Sequence, residues 1–352
     1  MKTKLLYVLT STEEDTYYES ALISIFSAMH LMPNSRITLL IDDKTDLILE
    51  KRDMQLMQFI SEKVVVNFDS SISQVVRSRL LKTNMRNHVR GNFLYIDCDT
   101  IIADSLDGID NIDASVAAVL DGHTTLSNHP VIDVFIEQNK YFGYPFNEID
   151  KYFNSGVIFS KDCIEANDFF SSWHENYKNG LLKGVFQDQP SFSKTIYESK
   201  FNIQELNGEW NCQSRLGAKY LRNLKILHFV SKRNMPISLL GNKNFLLKIR
   251  REGLTSENKE TIKNYESAFY SPMGIVVNDD LHFNFSPLYE EVRKFYVSTN
   301  TPYLFNIQEI HNNLYEKSIK SRMAKIFYKI NKALFQIEVI LIRSFSKPID
   351  GE

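Results

Sequence analysis

The amino-acid sequence predicts an α/β fold with a parallel central sheet. Strand and helix signals alternate through the first hundred residues, and polar residues follow the apolar runs. Leu5 to Thr10 is an apolar run typical of a buried strand, and Tyr18 to Met29 has apolar residues at helical spacing. Arg36 to Ile41 predicts the next strand. A strand, helix and strand in this order join parallel neighbours in one sheet.

The later elements extend the same pattern and place acids where strands end. Since the carboxyl ends of parallel strands meet at one edge of a sheet, acids at these ends predict a ligand site there. The strand before Asp97 ends on two acids, and the following strand ends at Asp121. The predicted strands are 64–66, 92–96, 116–120, 152–160 and 225–230, and the predicted helices are 73–86 and 169–177.

Composition limits the class of protein and its partners. With 352 residues, the chain is long enough for one large domain with an appendage or for two modest domains. A formal net charge of −2 gives no global field that would attract nucleic acid, so none is expected as a partner. Cys98, Cys163 and Cys212 lack the spacing of a zinc site or disulfide framework, which favours a reducing cytoplasm.

Membrane contact is expected to be peripheral. The N-terminal apolar run is too short for a signal sequence, and no window has the roughly 18 uncharged apolar residues of a membrane span. From Ile319, apolar residues keep helical spacing while lysines and arginines fill the other side, which predicts a basic amphipathic helix. Such a helix either lies on an anionic membrane surface or docks on the protein with its basic face in solvent.

The pair Asp97 and Asp99 is the first candidate for chemistry. Both follow the apolar run Leu94 to Ile96, and two carboxylates in one turn suit Mn²⁺ or Mg²⁺, ions that also bind the phosphates of a sugar nucleotide. Such a triplet is also common in solvated loops. The apolar pair Ile101 and Ile102 follows at once, however, so these acids are expected at a packed edge.

The run from Asn92 to Ile102 resembles the metal-binding signature of the GT-A glycosyltransferases. It is most similar to the retaining family 8 group, which includes bacterial galactosyl- and glucosyltransferases. The resemblance covers about residues 1–236. It implies a Rossmann-like, mixed, mostly parallel sheet flanked by helices, with a nucleotide-sugar-binding catalytic domain over 1–237. Residues 238–352 would form a mainly helical region for acceptor, membrane or partner contact.

The resemblance also implies a set of donor-binding residues. Tyr18 would stack on uracil, although an ordinary aromatic on a helix face fits equally well. Basic residues before the metal strand would pair with phosphate, or would only form a solvated helix face. An Asn-Ser-Gly segment would lie beside the donor sugar, or would be a turn at the start of a strand. The implied set is Leu9, Thr10, Tyr18, Arg79, Lys82, Asp97, Cys98, Asn154, Ser155, Gly156 and Lys232.

Three more residues complete the implied site. Asp188 would bind donor-sugar hydroxyls, and Gln189 would act as a positioning or charge-stabilising group, since an amide is a poor nucleophile. The alternative for Asp188 is a helix N-terminal cap. His228 would be the third metal ligand after Asp97 and Asp99, although a lone histidine at a strand end is more often structural. The segment after His228 departs from the family's Gly and Lys-Pro pattern, which leaves the phosphate contact of Lys232 open.

The function implied is transfer of a hexose, with galactose or glucose favoured, from a UDP-sugar to a saccharide or lipid-linked saccharide. Mn²⁺ or Mg²⁺ would be the cofactor, and retention of configuration is implied by the family alone. One rival is a non-catalytic protein of the same fold that binds sugar nucleotides or glycans. A phosphohydrolase is a second rival, but its Asp-x-Asp motif normally opens the domain and precedes a phosphate loop, unlike Thr100 to Ile102 here.

Overall fold

The computed structural model describes residues 1–52, 55–129, 132–213, 220, 223–229, 239–240, 242–267, 274–277 and 280–283. The described strands are β1 (Lys4–Leu9), β2 (Ile37–Asp42), β3 (Glu62–Val66), β4 (Phe93–Ile96), β5 (Thr100–Ile102), β6 (Val116–Leu120), β7 (Phe153–Ser160), β8 (Gln204–Glu205), β9 (Cys212–Gln213), β10 (Ile226–His228), β11 (Gly274–Val277) and β12 (Asp280–Phe283). The described α-helices are α1 (Tyr17–Leu31), α2 (Asp43–Lys51), α3 (Gln74–Thr83), α4 (Met85–His88), α5 (Ile132–Asn139), α6 (Ile164–Leu181), α7 (Gln189–Ser199), α8 (Lys243–Glu252) and α9 (Ser256–Ser267).

A seven-stranded sheet with the order β3-β2-β1-β4-β7-β6-β8 forms the centre of the protein. β1 pairs in parallel with both β2 and β4, and β2 with β3, while β7 runs antiparallel to its neighbours β4 and β6. β8 returns to the parallel direction beside β6. The predicted mixed, mostly parallel sheet is therefore confirmed.

Alternation along β1 shows how the sheet divides the core. Leu5, Tyr7 and Leu9 belong to one buried cluster, and Leu6 and Val8 belong to another. Because successive side chains of a strand point to opposite faces, each cluster covers one face of the sheet. Strands buried on both faces are almost continuously apolar, which is why this run could be recognised in the sequence.

The helix boundaries differ from the predicted ones where local geometry intervenes. The predicted helix 73–86 is two helices, because Asn84 between α3 and α4 has the non-helical dihedrals φ −104° and ψ 7°. Ser73 caps the first of them by accepting a hydrogen bond from the backbone N–H of Val76. The predicted helix 169–177 is longer and spans Ile164–Leu181.

A small second sheet with the order β5-β10-β9 lies beside the carboxyl end of β4. β10 is antiparallel to β5, and its last residue, His228, is in register with Thr100. The predicted strand 225–230 is thus confirmed for Ile226–His228, whereas residue 230 lies outside the described residues. The pairing of β10 with β5 brings His228 next to the turn that joins β4 to β5.

The described C-terminal helices share a core with the sheet. Phe245, Leu246, Ile249 and Ile262 of α8 and α9 are buried in the same cluster as Leu22 of α1. The boundary after residue 237 stays a prediction, and the amphipathic helix predicted from residue 319 lies outside the described residues. None of the helices described has both the length and the apolar composition required to cross a bilayer.

A shared core predicts that α8 and the sheet unfold together. Ile249 is 2% exposed, so Ile249→Ala should lower the free energy of unfolding by about 2–5 kcal/mol in a single transition. Leu47→Ala in α2, at a side chain that is 59% exposed, should change it by less than about 0.5 kcal/mol. Chemical denaturation followed by fluorescence and circular dichroism measures both. A separate early transition in the Ile249 variant would show that α8 folds independently.

Candidate active site

The turn between β4 and β5 holds Asp97 and Asp99 in a fixed backbone frame. The Asp97 N–H donates to the carbonyl of Gly156 on β7 at 2.8 Å, and the hydroxyl of Thr100 donates to the Asp97 carbonyl at 2.9 Å. The N–H of Phe229, just after β10, donates to the carbonyl of Asp99 at 2.9 Å. Both acids are therefore anchored through the main chain.

His228 lies against both carboxylates. Its Nε2 is 3.4 Å from Oδ1 of Asp99 and 3.7 Å from Oδ2 of Asp97. One ligand atom from each of the three residues can be chosen so that all lie within 4.8 Å of one another. Burial alone would lower the pKa of His228, but the neighbouring carboxylates of Asp99 and Asp97 raise it.

A chain of amide hydrogen bonds fixes the orientation of the His228 ring. The N–H of Gly156 and Nδ2 of Asn211 both donate to Oδ1 of Asn154, each at 2.9 Å. Oδ1 of Asn211 then lies 2.9 Å from Nδ1 of His228 and accepts the proton of that nitrogen. Nε2 is thereby the ring nitrogen that faces Asp97 and Asp99.

This donor set fits a divalent metal ion. Two carboxylates and one neutral imidazole nitrogen are ligands of Mn²⁺, and carboxylate oxygens also suit Mg²⁺. The amide partner of His228 is the kind of outer-shell support that metal-bound histidines normally have. Residues that the sequence separates by about 130 positions thus form one ligand cluster.

Gly156 is required by the close approach of His228. A Cβ atom at position 156 would lie 2.8 Å from Nδ1 of His228 and 2.9 Å from Oδ1 of Asn154. Contacts below 3.0 Å are essentially never made by real Cβ atoms, so any side chain here would displace the imidazole or the amide.

Asp188 is a second buried acidic residue. It lies next to the ligand cluster of Asp97, Asp99 and His228, which we call the metal cluster. Its Oδ1 is 2.9 Å from Nε of Arg79, and its Oδ2 is 3.0 Å from Nζ of Lys82. The hydroxyl of Ser155 donates to Oδ2 at 2.8 Å. Burial alone would raise the pKa of Asp188, but Lys82 and Arg79 hold it well below its usual range. The carboxylate is therefore ionised at neutral pH.

The alternative interpretation of Asp188 as a helix cap is wrong. Asp188 does precede the first residue of α7, but its side chain makes no hydrogen bond to the N–H groups of that helix. Only its backbone carbonyl serves the helix, accepting bonds from the Phe192 N–H, the Ser191 hydroxyl and Nε1 of Trp173. The carboxylate is therefore free of the helix and pairs with Arg79 and Lys82, and we call these three residues the ionic cluster.

Lys82 joins the two acidic centres. Its Nζ lies 3.3 and 3.4 Å from the oxygens of Asp97, 3.0 Å from Asp188 and 3.3 Å from the hydroxyl of Ser155. The residue is only 2% exposed. An ammonium group has three donors, and these three acceptor groups match them. Lys82 is thus placed between the carboxylates, so the alternative of a solvated helix face is wrong for this residue, and its contact with phosphate stays a prediction.

Asp121, at the end of β6, connects Asn154 with Gln189. Its Oδ2 accepts from Nδ2 of Asn154 at 2.9 Å and from Nε2 of Gln189 at 2.8 Å. Its Oδ1 lies 3.0 Å from Nε2 of His129. Burial alone would raise the pKa of Asp121, but the bonds with His129 and the two amides lower it. The orientation of Gln189 therefore depends on the network that also orients His228.

Four of the sequence-predicted donor residues, all in the described part of the chain, make their contacts away from these clusters. Leu9 lies in the core, and Tyr18 is 5% exposed with the Arg52 guanidinium 4.9 Å from its ring centre. For Tyr18 this agrees with the helix-face alternative, because its ring is not open to a base. The carbonyl of Thr10 accepts from Gln74 at 3.0 Å, and the Cys98 thiol donates to the Val8 carbonyl at 3.3 Å. Lys232 lies outside the described residues.

Sequence reasoning left three members of the site without a role. Asp121 was visible only as an acid at a strand end, and Asn211 only as the residue that follows Trp210 in the sequence. Tyr95, whose hydroxyl donates to Oδ1 of Asp97, could have been found by alternation, because residues two apart on a strand share a face. The contact between Asn211 and His228 depends on the parallel pairing of β9 with β10, which no local signal reveals.

The mixed sheet, the acidic turn after β4 and the adjoining histidine agree with the sequence's resemblance to the GT-A glycosyltransferases. The chain belongs to glycosyl transferase family 8, because the model of that family matches residues 9–235, which is more than half of the chain. All the described residues of the two clusters, from Arg79 to His228, fall within that range.

Solved structures were compared as well. The galactosyltransferase LgtC, solved with donor and acceptor sugar analogues, is 14% identical over 72% of this chain and 97% of its own, with a TM-score of 0.48. Mouse xyloside xylosyltransferase 1, in its apo form, is 14% identical over 66% of this chain and 99% of its own, with a TM-score of 0.44. A search of curated protein sequences gives no match. Membership of the family therefore rests on the family model.

Filling the space beside His228 tests the ligand cluster without an activity assay. Gly156→Ala should displace the imidazole and weaken Mn²⁺ binding by about tenfold or more, because one of the three ligands is lost from its position. Isothermal titration of the protein with MnCl₂ measures this affinity. Gly108→Ala is the matched control, since a Cβ there meets Trp210 at an ordinary 3.6 Å. Equal Mn²⁺ affinity in both variants would remove His228 from the ligand set.

Proposed function

We propose that this glycosyltransferase moves a hexose, with galactose or glucose favoured, from a UDP-sugar to a saccharide or glycolipid acceptor. Retention of configuration and a role in surface polysaccharide or glycoconjugate synthesis belong to the same proposal. The observation that carries it is the convergence of Asp97, Asp99 and His228 beside the ionised carboxylate of Asp188. The metal cluster suits the diphosphate of a sugar nucleotide, and the adjoining Asp188 carboxylate is a hydrogen-bond acceptor for its sugar.

The donor's diphosphate would be held by a metal ion and by Arg79. Asp97, Asp99 and Nε2 of His228 would hold the ion, and bound Mn²⁺ or Mg²⁺ would neutralise charge developing on the leaving diphosphate. The side chain of Arg79 is 36% exposed, and only its Nε is needed for Asp188. Its remaining N–H groups suit a phosphate oxygen, and the pairing with Asp188 keeps the guanidinium in place.

The sugar itself would be bound by the groups around Asp188. An ionised carboxylate only accepts hydrogen bonds, so Asp188 selects hydroxyl groups. Gln189 uses its Nε2 for Asp121, which leaves its carbonyl oxygen as an acceptor for the sugar. Gln189 is therefore proposed as a positioning and charge-stabilising residue.

The charges around Asp188 favour direct substitution on one face of the sugar. A carboxylate paired with both Arg79 and Lys82 is a poor covalent nucleophile, because its negative charge is already stabilised. In the proposed route the acceptor hydroxyl attacks on the side from which UDP leaves, and its proton passes to the departing phosphate. The anomeric C–O bond to UDP breaks as the new glycosidic bond forms, so configuration is retained.

Removing one carboxylate charge at a time tests the metal-dependent function. Asp97→Asn and Asp99→Asn should each lower Mn²⁺-dependent UDP release by about 100-fold or more, as expected when an electrostatic catalytic group is lost. The assay screens common UDP-sugars with and without a mixture of saccharide acceptors. Asp113→Asn, at a side chain that is 95% exposed and pairs with Lys161, is the matched control and should keep full activity.

Other outcomes separate the rival functions. Tight binding of UDP-sugars by the unchanged protein, without turnover under any condition, would identify a binding protein of the same fold. Release of inorganic phosphate from simple esters without an acceptor would favour a phosphohydrolase. Full activity in both aspartate variants would remove the metal assignment while leaving the family assignment intact.

The proposed cellular setting is the cytoplasm, with peripheral contact at the inner membrane face. Residues 238–352 are proposed to supply the acceptor or membrane contact, and Lys232 to reach the donor phosphates. The support is compositional: the sequence from residue 319 carries basic and apolar residues on opposite sides of a helical pattern.

Liposome flotation tests the membrane role. The full chain should float with vesicles containing about 30% anionic lipid, and binding should weaken with salt because the attraction is electrostatic. A chain ending before Ile319 is the matched comparison and should stay in the dense fraction. Equal flotation of both chains would remove this role from the C-terminal helix.

A further inference from the structure

Glu19 is a fully buried carboxylate held by two arginines from distant parts of the chain. Arg52, just after α2, places NH1 2.7 Å from Oε1 of Glu19. Arg250, on α8, places Nε 2.9 Å from Oε1 and NH2 3.0 Å from Oε2. A buried charge is stable only when it is paired and hydrogen-bonded, so these three side chains depend on one another.

The same arginines also bind the backbone of residues 11–16, which we term the β1–α1 loop. NH2 of Arg52 donates to the carbonyl of Thr12 at 3.2 Å. NH1 of Arg250 donates to the carbonyl of Glu13 at 3.0 Å, and its NH2 also donates to the carbonyl of Asp15. The loop is therefore held on one side by guanidinium groups that Glu19 orients.

The other side of the loop is tied to α3. The carboxylate of Asp15 accepts from the Ser11 hydroxyl at 2.8 Å, from the Thr12 N–H at 2.7 Å and from Nε2 of Gln74 at 2.7 Å. Nε2 of Gln74 also donates to the carbonyl of Thr10 at 3.0 Å. Gln74 is the first residue of α3, the helix that carries the Arg79 and Lys82 side chains of the ionic cluster.

The loop thus lies between the two arginines on one side and α3, the helix that carries Arg79 and Lys82, on the other. The β1–α1 loop comes after β1, and β1 is the parallel neighbour of β4. The turn with Asp97 and Asp99 follows the carboxyl end of β4. Ligands of open α/β sheets bind at this edge. Any displacement of the loop would reach Thr10 and, through Gln74, the start of α3.

We propose that Arg250 is a positioning residue for donor binding, acting through the β1–α1 loop. It lies beyond residue 235, where the family match ends, so in this chain a residue outside the family-matched region completes the donor side of the site. The inference rests on the proposed function, because the donor is taken to be a uridine diphosphate sugar. Arg250 touches Glu19 and the loop, and its effect on the donor is indirect.

The geometry of the contact requires a guanidinium group. Arg250 uses three different nitrogens for Glu19, the Glu13 carbonyl and the Asp15 carbonyl. A lysine has the same charge but a single nitrogen, so it cannot serve acceptors on opposite sides of a planar fork. Arg250→Lys should therefore keep the charge balance of buried Glu19 and still release part of the loop.

The test compares three variants of the full chain by donor KM, kcat and UDP affinity in the presence of Mn²⁺. Arg250→Ala should raise the KM for the UDP-sugar and the Kd for UDP by about tenfold or more, while kcat changes by less than about threefold. Arg250→Lys should show the same KM effect with a smaller loss of thermal stability. Arg251→Ala, at the exposed neighbouring residue on α8, should match the unchanged protein.

Hydrogen exchange of residues 10–17 provides a second readout that needs no ligand. Exchange should become faster in both Arg250 variants, because the loop loses the guanidinium donors to its Glu13 and Asp15 carbonyls. It should stay unchanged in Arg251→Ala. Lower melting temperatures with unchanged KM and Kd would reduce Arg250 to a purely structural tie and overturn the proposal. Failure of the unchanged protein to bind UDP would instead overturn the proposed function.

Discussion

The buried ion pairs of Lys82 are the interaction on which the rest of the site depends. Its ammonium group lies between Asp97, which faces the metal cluster, and Asp188, which faces the proposed sugar site. A cation placed between two carboxylates offsets their mutual repulsion. Arg79 supplies a second cation at the other oxygen of Asp188, and together with Lys82 it favours the ionised form of that buried carboxylate. The cluster is thus internally balanced before any ligand binds.

A second dependence links the metal ligand His228 to Gln189 in the proposed sugar site. The amides of Asn211 and Asn154 run from Nδ1 of His228 to Asp121, and Asp121 also binds Gln189. Each member uses a specific donor or acceptor atom, so reversing one amide would leave two buried polar groups unsatisfied. The orientation of the imidazole and the orientation of Gln189 are therefore set by one network. Pre-organisation of this kind reduces the rearrangement needed when charge develops during a reaction.

The sequence predicted those parts of the site and fold that depend only on residues close together in the chain. Apolar runs located the central strands within a residue or two, and the run ending at Asp97 and Asp99 identified the acidic turn. It could not predict contacts that depend on how distant strands pair or on which side chains are buried when a helix packs on the sheet. The burial of Lys82 follows from the packing of α3 against the sheet, whereas a basic residue on a helix is usually solvated. Tyr18 likewise is buried in the core cluster that it shares with residues of β1.

The most direct test of this account is a crystal structure with Mn²⁺ and UDP, using the anomalous signal of manganese to locate the ion. We expect one anomalous peak bonded to Asp97, Asp99 and Nε2 of His228, with diphosphate oxygens completing the coordination of the ion. Lys82 should remain between Asp97 and Asp188. A manganese peak elsewhere, or UDP bound with the three protein ligands free of metal, would contradict the central claim.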